Sequence, residues 1–171
     1  MRLDKILITR REAIAPEHVA QGDFVYDKRL VVSKTDNQCT VAFMEIPPGK
    51  SAYPRHYHFD ITEVFYVISG KGRVETPEGD KPVTTGDVIV FPPGAAGAHK
   101  IWNTSENERL CYIDFDTTAI NDRICYPDSG KMTQSIITKE NDSWISACLA
   151  EWRRASQTSP MAWNRDTLLS R

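Results

Sequence analysis

The sequence predicts an all-β protein, a sandwich or barrel of short strands, and three observations point there. Short runs of alternating or continuous β-branched and aromatic residues fill the middle of the chain. Gly, Pro, Asn and Asp turn residues interrupt those runs at close intervals. The chain has 171 residues with 40% hydrophobic content, enough to bury one proper core and little more.

The expected elements follow in chain order. Residues 6–9 and 24–32 are candidate edge strands, separated by a turn or short helix around Ala15, Pro16 and Glu17. Central strands are expected at 39–46, 52–57, 62–68, 72–75, 87–91, 98–102 and 110–116, a spacing typical of sandwiches and barrels. Near the other end, Trp144, Ile145, Cys148, Leu149 and Trp152 recur at helical spacing behind the capping residues Asn141, Asp142 and Ser143. One amphipathic helix is therefore expected there, docked on the barrel or on a second subunit. The organisation expected is an N-terminal extension over 1–38, a barrel over 39–138, and a C-terminal helix and tail over 139–171.

Charge and composition exclude several classes. Lysine plus arginine number 21 against 23 aspartate plus glutamate, with no basic stripe of the kind a phosphate backbone requires, so nucleic acid is not an expected partner. No apolar run approaches the roughly eighteen residues of a membrane span, and the N-terminal apolar run is too short for a secretory core. A soluble cytoplasmic protein is expected. Cys39, Cys111, Cys125 and Cys148 lie far apart with no C-x-x-C pair, which argues for small buried hydrophobes rather than a zinc ribbon or a dithiol centre.

The chemistry gathers in the middle of the chain. His56 and His58 are one residue apart, so on a strand both imidazoles leave the same face and can converge on one ion. Glu63 follows after a span able to bend back as the neighbouring strand, and His99 would arrive from a strand remote in sequence. Imidazoles with a carboxylate suit zinc, iron, manganese or nickel, and no thiolate joins them. A lone histidine or glutamate is usually an ordinary satisfied residue. Three imidazoles and a carboxylate buried together would instead leave polar groups that a cation satisfies. His18, in a polar N-terminal stretch, reads as a surface residue.

These residues carry a resemblance. Gly49, His56, His58, Glu63 and Gly70 stand in a stretch similar to the first motif of the cupin superfamily, and Gly86, Pro92, Gly94, His99 and Asn103 in one similar to the second. An intermotif segment of 15 residues separates them. The resemblance implies a double-stranded β-helix, a jelly-roll-like barrel, with His56, His58, Glu63 and His99 as ligands of one divalent metal ion. Six residues rather than the usual five separate Gly49 from His56, and four rather than two separate Gly94 from His99. Both differences are expected in loops at the barrel mouth. Among cupins the chain resembles small bacterial single-cupin proteins with the run Tyr126, Pro127, Asp128, Ser129, Gly130 and Lys131 after the barrel motif, a subgroup loosely labelled sugar-phosphate isomerase-like. The bland reading of that run is a turn ending a strand.

Four protein ligands on an ion that accepts five or six leave room for water or substrate, which suits catalysis. The function expected is therefore a metalloenzyme acting on a small polar, oxygen-rich metabolite by isomerase, decarboxylase, lyase or dioxygenase chemistry. The alternatives are a non-catalytic sugar or carboxylate binding module, and a barrel using its metal for stability alone. Candidates for proton transfer or anion binding are Tyr53, Arg55, Tyr112 and Asp114, with Asp60, Trp102, Tyr57 and Lys100 behind them. Tyr57 and Lys100 adjoin ligands and should face the opposite side of their strands. Tyr112 and Asp114 share one face of their segment, and alternation alone does not say whether that face lines the cavity. The partners expected are a small-molecule substrate and a second copy of the chain in a homodimer.

Overall fold

The computed structural model describes residues 3–35, 37–140, 143–148 and 152–153. Among these, the strands in chain order are β1 (Glu17–Gln21), β2 (Phe24–Val32), β3 (Cys39–Ile46), β4 (Ser51–His58), β5 (Glu63–Ser69), β6 (Lys71–Thr76), β7 (Gly79–Thr84), β8 (Val88–Phe91), β9 (His99–Asn103), β10 (Leu110–Thr117), β11 (Asn121–Tyr126), β12 (Lys131–Glu140), β13 (Ser143–Cys148) and β14 (Trp152–Arg153). Two short 3-10 turns, Arg11–Ala13 and Ala95–Gly97, interrupt them. The fold is mostly β, as the sequence predicts. No helix among the described residues is long and apolar enough to cross a membrane.

The strands form one curled sheet in which β2, β3, β10, β5 and β8 follow one another on one side and β7, β6, β9, β4, β11, β12 and β13 on the other. A single parallel bridge between Phe24 of β2 and Ser51 of β4 joins the two. Alternation decides which residues turn inward. In β5, Glu63, Phe65 and Val67 are buried; in β9, His99, Ile101 and Asn103; in β10, Leu110, Tyr112 and Asp114. The apolar core mixes both sides, with Met44, Phe65, Val67 and Tyr112 from one and Ala52, Val74 and Ile101 from the other. Each large apolar side chain fully buried there contributes about 2 kcal/mol.

Three expectations change at the ends of the chain. Residues 6–9 form no strand, and the 3-10 turn and β1 occupy the stretch where one turn or short helix was expected. The helix expected at 144–152 is not observed: Ser143–Cys148 is the strand β13, paired antiparallel to β12 from Ser143 opposite Glu140 to Cys148 opposite Ser135. Residues 144, 145 and 148 fit a helical repeat, but aromatic Trp144 and β-branched Ile145 also favour an extended chain once a partner strand lies alongside. Residues 149–151 and the tail from 154 lie outside the described residues. Strands β7, β11 and β12 had no counterpart in the expected set, whereas the run from Tyr126 to Lys131 is the turn between β11 and β12.

Candidate metal centre

The two sides of the sheet meet over four side chains. His56 and His58 come from β4 and His99 from β9 on one side, and Glu63 from β5 on the other. All four are buried. Donor atoms of His56, His58 and Glu63 lie within 4.8 Å of one another. One Glu63 oxygen stands 3.8 Å from His56 Nε2 and 3.6 Å from His58 Nε2; the other stands 3.5 Å from His99 Nε2.

Local backbone explains the aim. The register between β4 and β9 shifts between Ala52 and His56, a bulge that includes Tyr53, the one non-glycine residue with positive φ (54°) among those described. The residue added before His56 is thus absorbed inside a strand rather than in a loop, and beyond the bulge His56 and His58 both face inward. The residues added before His99 form the 3-10 turn Ala95–Gly97, closed by Gly97 N–H donating to Gly94 carbonyl at 3.0 Å. Gly97 packs so closely on Pro92 that a Cβ would collide with the Pro92 carbonyl oxygen.

Each imidazole has its Nδ1 engaged, His56 with Pro54 carbonyl at 2.9 Å, His99 with Gly97 carbonyl at 2.9 Å and His58 with an Asp122 carboxylate oxygen at 2.5 Å. A neutral ring that donates through Nδ1 presents Nε2 as a lone pair, the tautomer a metal ligand needs. His99 Nε2 is buried with no hydrogen-bond partner. That orphaned atom, among two more Nε2 atoms and a carboxylate, fits a divalent cation.

Electrostatics follow the same arrangement. Burial pulls the His58 pKa down, but hydrogen bonds with Asp122 and Glu63 outweigh it and raise it to about 9. Burial lowers His99 to about 4. Glu63 stays well below the usual carboxylate range: burial would raise it, and the imidazoles of His56 and His58 more than compensate. Glu63 also lies within 4.8 Å of Asp114 and Asp116. Burial, with Asp114 beside it, raises Asp116 to about 9, and burial raises Asp114 although Lys28 pulls it down.

The structure brings Tyr53, Tyr112 and Asp114 to the ligand side of the barrel. Tyr112 and Asp114 share the inward face of β10, and the Tyr53 ring is 6.0 Å from the His56 ring. Arg55 turns away to pair with Asp128 at 3.6 Å. Trp102 donates to Glu75 at 2.6 Å, Lys100 covers the Trp102 ring at 4.1 Å, and Tyr57 packs on Phe59 at 5.2 Å, all away from the ligands. Asp60 donates its backbone N–H to Asp122 at 3.2 Å. His18 is exposed and bonds Asp27 at 2.6 Å. Sequence reasoning missed Asp116 and Asp122. The first was within reach, two residues beyond Asp114 on the same strand; the second comes from a polar strand that no local pattern marks.

Comparisons with known proteins agree with this architecture. The cupin domain family matches residues 42–115. No match was found among curated protein sequences. A protein from Acidithiobacillus ferrooxidans, provisionally assigned as a sugar phosphate isomerase, is 26% identical, with a TM-score of 0.66 over 88% of this chain and 97% of its own. A predicted oxalate decarboxylase from Thermotoga maritima is 26% identical, with a TM-score of 0.59 over 66% of this chain and 100% of its own. A cupin-superfamily sugar phosphate isomerase from Silicibacter pomeroyi shares the fold at 18% identity, with a TM-score of 0.65 over 83% of this chain and 92% of its own. With both motifs, the curled barrel and the inward histidines and glutamate in agreement, residues 42–115 are a cupin domain.

Proposed function

We propose that the protein is a metal-dependent enzyme that moves a proton on a small, oxygen-rich metabolite, an isomerase-type reaction. The observation that carries this reading is the convergence of three imidazole Nε2 atoms and the Glu63 carboxylate, with each Nδ1 held by a separate acceptor. His56, His58, Glu63 and His99 would hold the ion, one of zinc, iron, manganese or nickel. A bound divalent cation supplies Lewis-acid polarisation of a substrate oxygen. Around it the chain's own groups do the rest. Asp122 fixes the His58 ring, and the Phe91 ring, stacked at 3.6 Å on His99, holds that imidazole in place. Asp114, with a buried oxygen that has no hydrogen-bond partner, is the group best placed to take a proton from substrate or return it. The similarity to the two isomerase-assigned proteins favours proton transfer over decarboxylation.

The test is elemental analysis of purified protein, followed by an isomerase screen with the matching ion. About one divalent ion per chain is expected, with occupancy lost in His56→Ala and His99→Ala while circular dichroism retains the β signal. Full occupancy in either variant overturns the ligand assignment. Metal and ligand binding without turnover would leave a binding module instead.

A further inference from the structure

We propose that the cavity adjoining the ligand cluster seats an anionic group of the substrate, a phosphate or a carboxylate, and that Lys28 is its principal partner. This rests on the reading of the ligand cluster as the reacting centre. The cavity measures about 420 Å³ and is walled by β1, the inward face of β2, the 33–35 loop, Thr40 and Tyr53. It suits a small metabolite. Two features join it to the cluster. Tyr53 forms its wall and stands edge-on to the His56 ring at 6.0 Å. Thr40, also in the wall, is the register partner of Asp116.

The lining is chemically specific. Lys28 sits on the inward face of β2 opposite Met44, half-buried, and donates to the Tyr53 hydroxyl at 3.2 Å. That bond occupies one of three ammonium donors. Neighbouring cations are matched: Arg11 and Arg29 with Glu45, and Arg109 with Asp27. Among the described residues no carboxylate forms an ion pair with Lys28 or Lys34, and Lys34 adds a second positive charge to the wall. Ser33 donates its hydroxyl to that of Thr35 at 3.1 Å, which leaves the Thr35 proton free to turn into the cavity. The single acid in the wall, Glu17, is exposed. A half-buried ammonium that feels Asp114 and Asp116 but forms no ion pair with them, flanked by hydroxyl donors, is a poor place for a neutral sugar alone and a good one for an anion. Tyr53 is held with positive φ at this wall, a backbone cost that the surrounding structure must sustain and that marks a built position.

Calorimetry on the full chain, chelator-stripped and metal-loaded, tests the proposal with four probes: inorganic phosphate, ribose 5-phosphate, malonate and neutral ribose. Ribose 5-phosphate is expected to bind at least tenfold more tightly than ribose. Lys28→Met should weaken both anions' and the sugar phosphate's binding at least tenfold while leaving ribose unchanged, with Lys28→Arg restoring most of the loss. Stronger binding of phosphate than malonate identifies the group as phosphate; the reverse identifies a carboxylate. Should Lys28→Met fail to fold, Lys28→Gln and Lys34→Met supply the same comparison. No anion binding to the parent chain, or anion binding unaltered in the lysine variants, overturns the proposal and leaves the metal reading intact. Lysine-dependent anion binding to a chain that takes up no metal sustains it and overturns the metal reading instead.

Discussion

At the scale of single residues, His58 is where a proton and the proposed metal ion would compete. In the metal-free protein its pKa is raised to about 9 by Asp122 and Glu63 against the opposing pull of burial. A histidine with a folded-state pKa above its unfolded 6.5 stabilises the fold fully below 6.5, and that contribution is lost as pH rises through 9. Asp116, raised by burial to about 9, acts in the same direction because the folded chain holds its proton longer than the unfolded chain does. Urea denaturation of chelator-treated protein is therefore expected to show stability falling from pH 6.5 to 9. Asp122→Asn should flatten that decline. Metal should flatten it as well, since a ligating His58 carries no proton on Nε2. A metal-free profile that rises over this window would contradict the assignment.

At the scale of elements, two irregularities aim the ligands: the bulge in β4 at Tyr53 and the 3-10 turn Ala95–Gly97 before β9. The turn is the more fragile, because a methyl at 97 runs into Pro92 backbone rather than into a flexible side chain. Gly97→Ala is expected to cost about 2 kcal/mol in denaturant unfolding and to loosen metal at His99, read by chelator competition. Unchanged values for both would show that the turn relaxes without moving His99. These elements also mark what the sequence makes legible. The seven central strands stand out because their apolar residues alternate against a buried face, as in 39–46 and 63–69. Strand β7 hides because it contains Pro82, which an edge strand tolerates; among the described residues β7 pairs only with β6. Strand β13 reads as helix because its pairing with β12 lies outside any local window. The convergence of His56, His58, Glu63 and His99 was legible through the i, i+2 histidines and the two motifs, whereas Asp122 reaches His58 and Lys28 reaches Tyr53 through registers that no short pattern encodes.

At the scale of the whole molecule, the outer face of β8, β5 and β10 exposes Val88 at 62%, Val90 at 58%, Tyr66 at 46% and Phe115 at 37%. Register places Val90 beside Val64 and Val64 beside Phe115, with Val88 beside Tyr66, so these side chains form a continuous apolar surface ending at the β8 edge. Sedimentation is expected to return a dimer, and Val90→Lys a monomer; a monomeric parent chain at micromolar concentration would refute this use of the surface. The His58–Asp122 bond has a consequence for how this protein can be cut and recombined. The family match ends at residue 115, and all four ligands lie inside it. Asp116 and Asp122 fall beyond that limit, and Lys28 falls before its start at residue 42. A minimal domain transplanted at those boundaries would carry the candidate ligands away from Asp122, which bonds His58, and from the lysine facing the cavity. Shuffling this barrel between proteins at the family boundaries would therefore keep the four converging side chains together and leave behind the residues that hold and flank them.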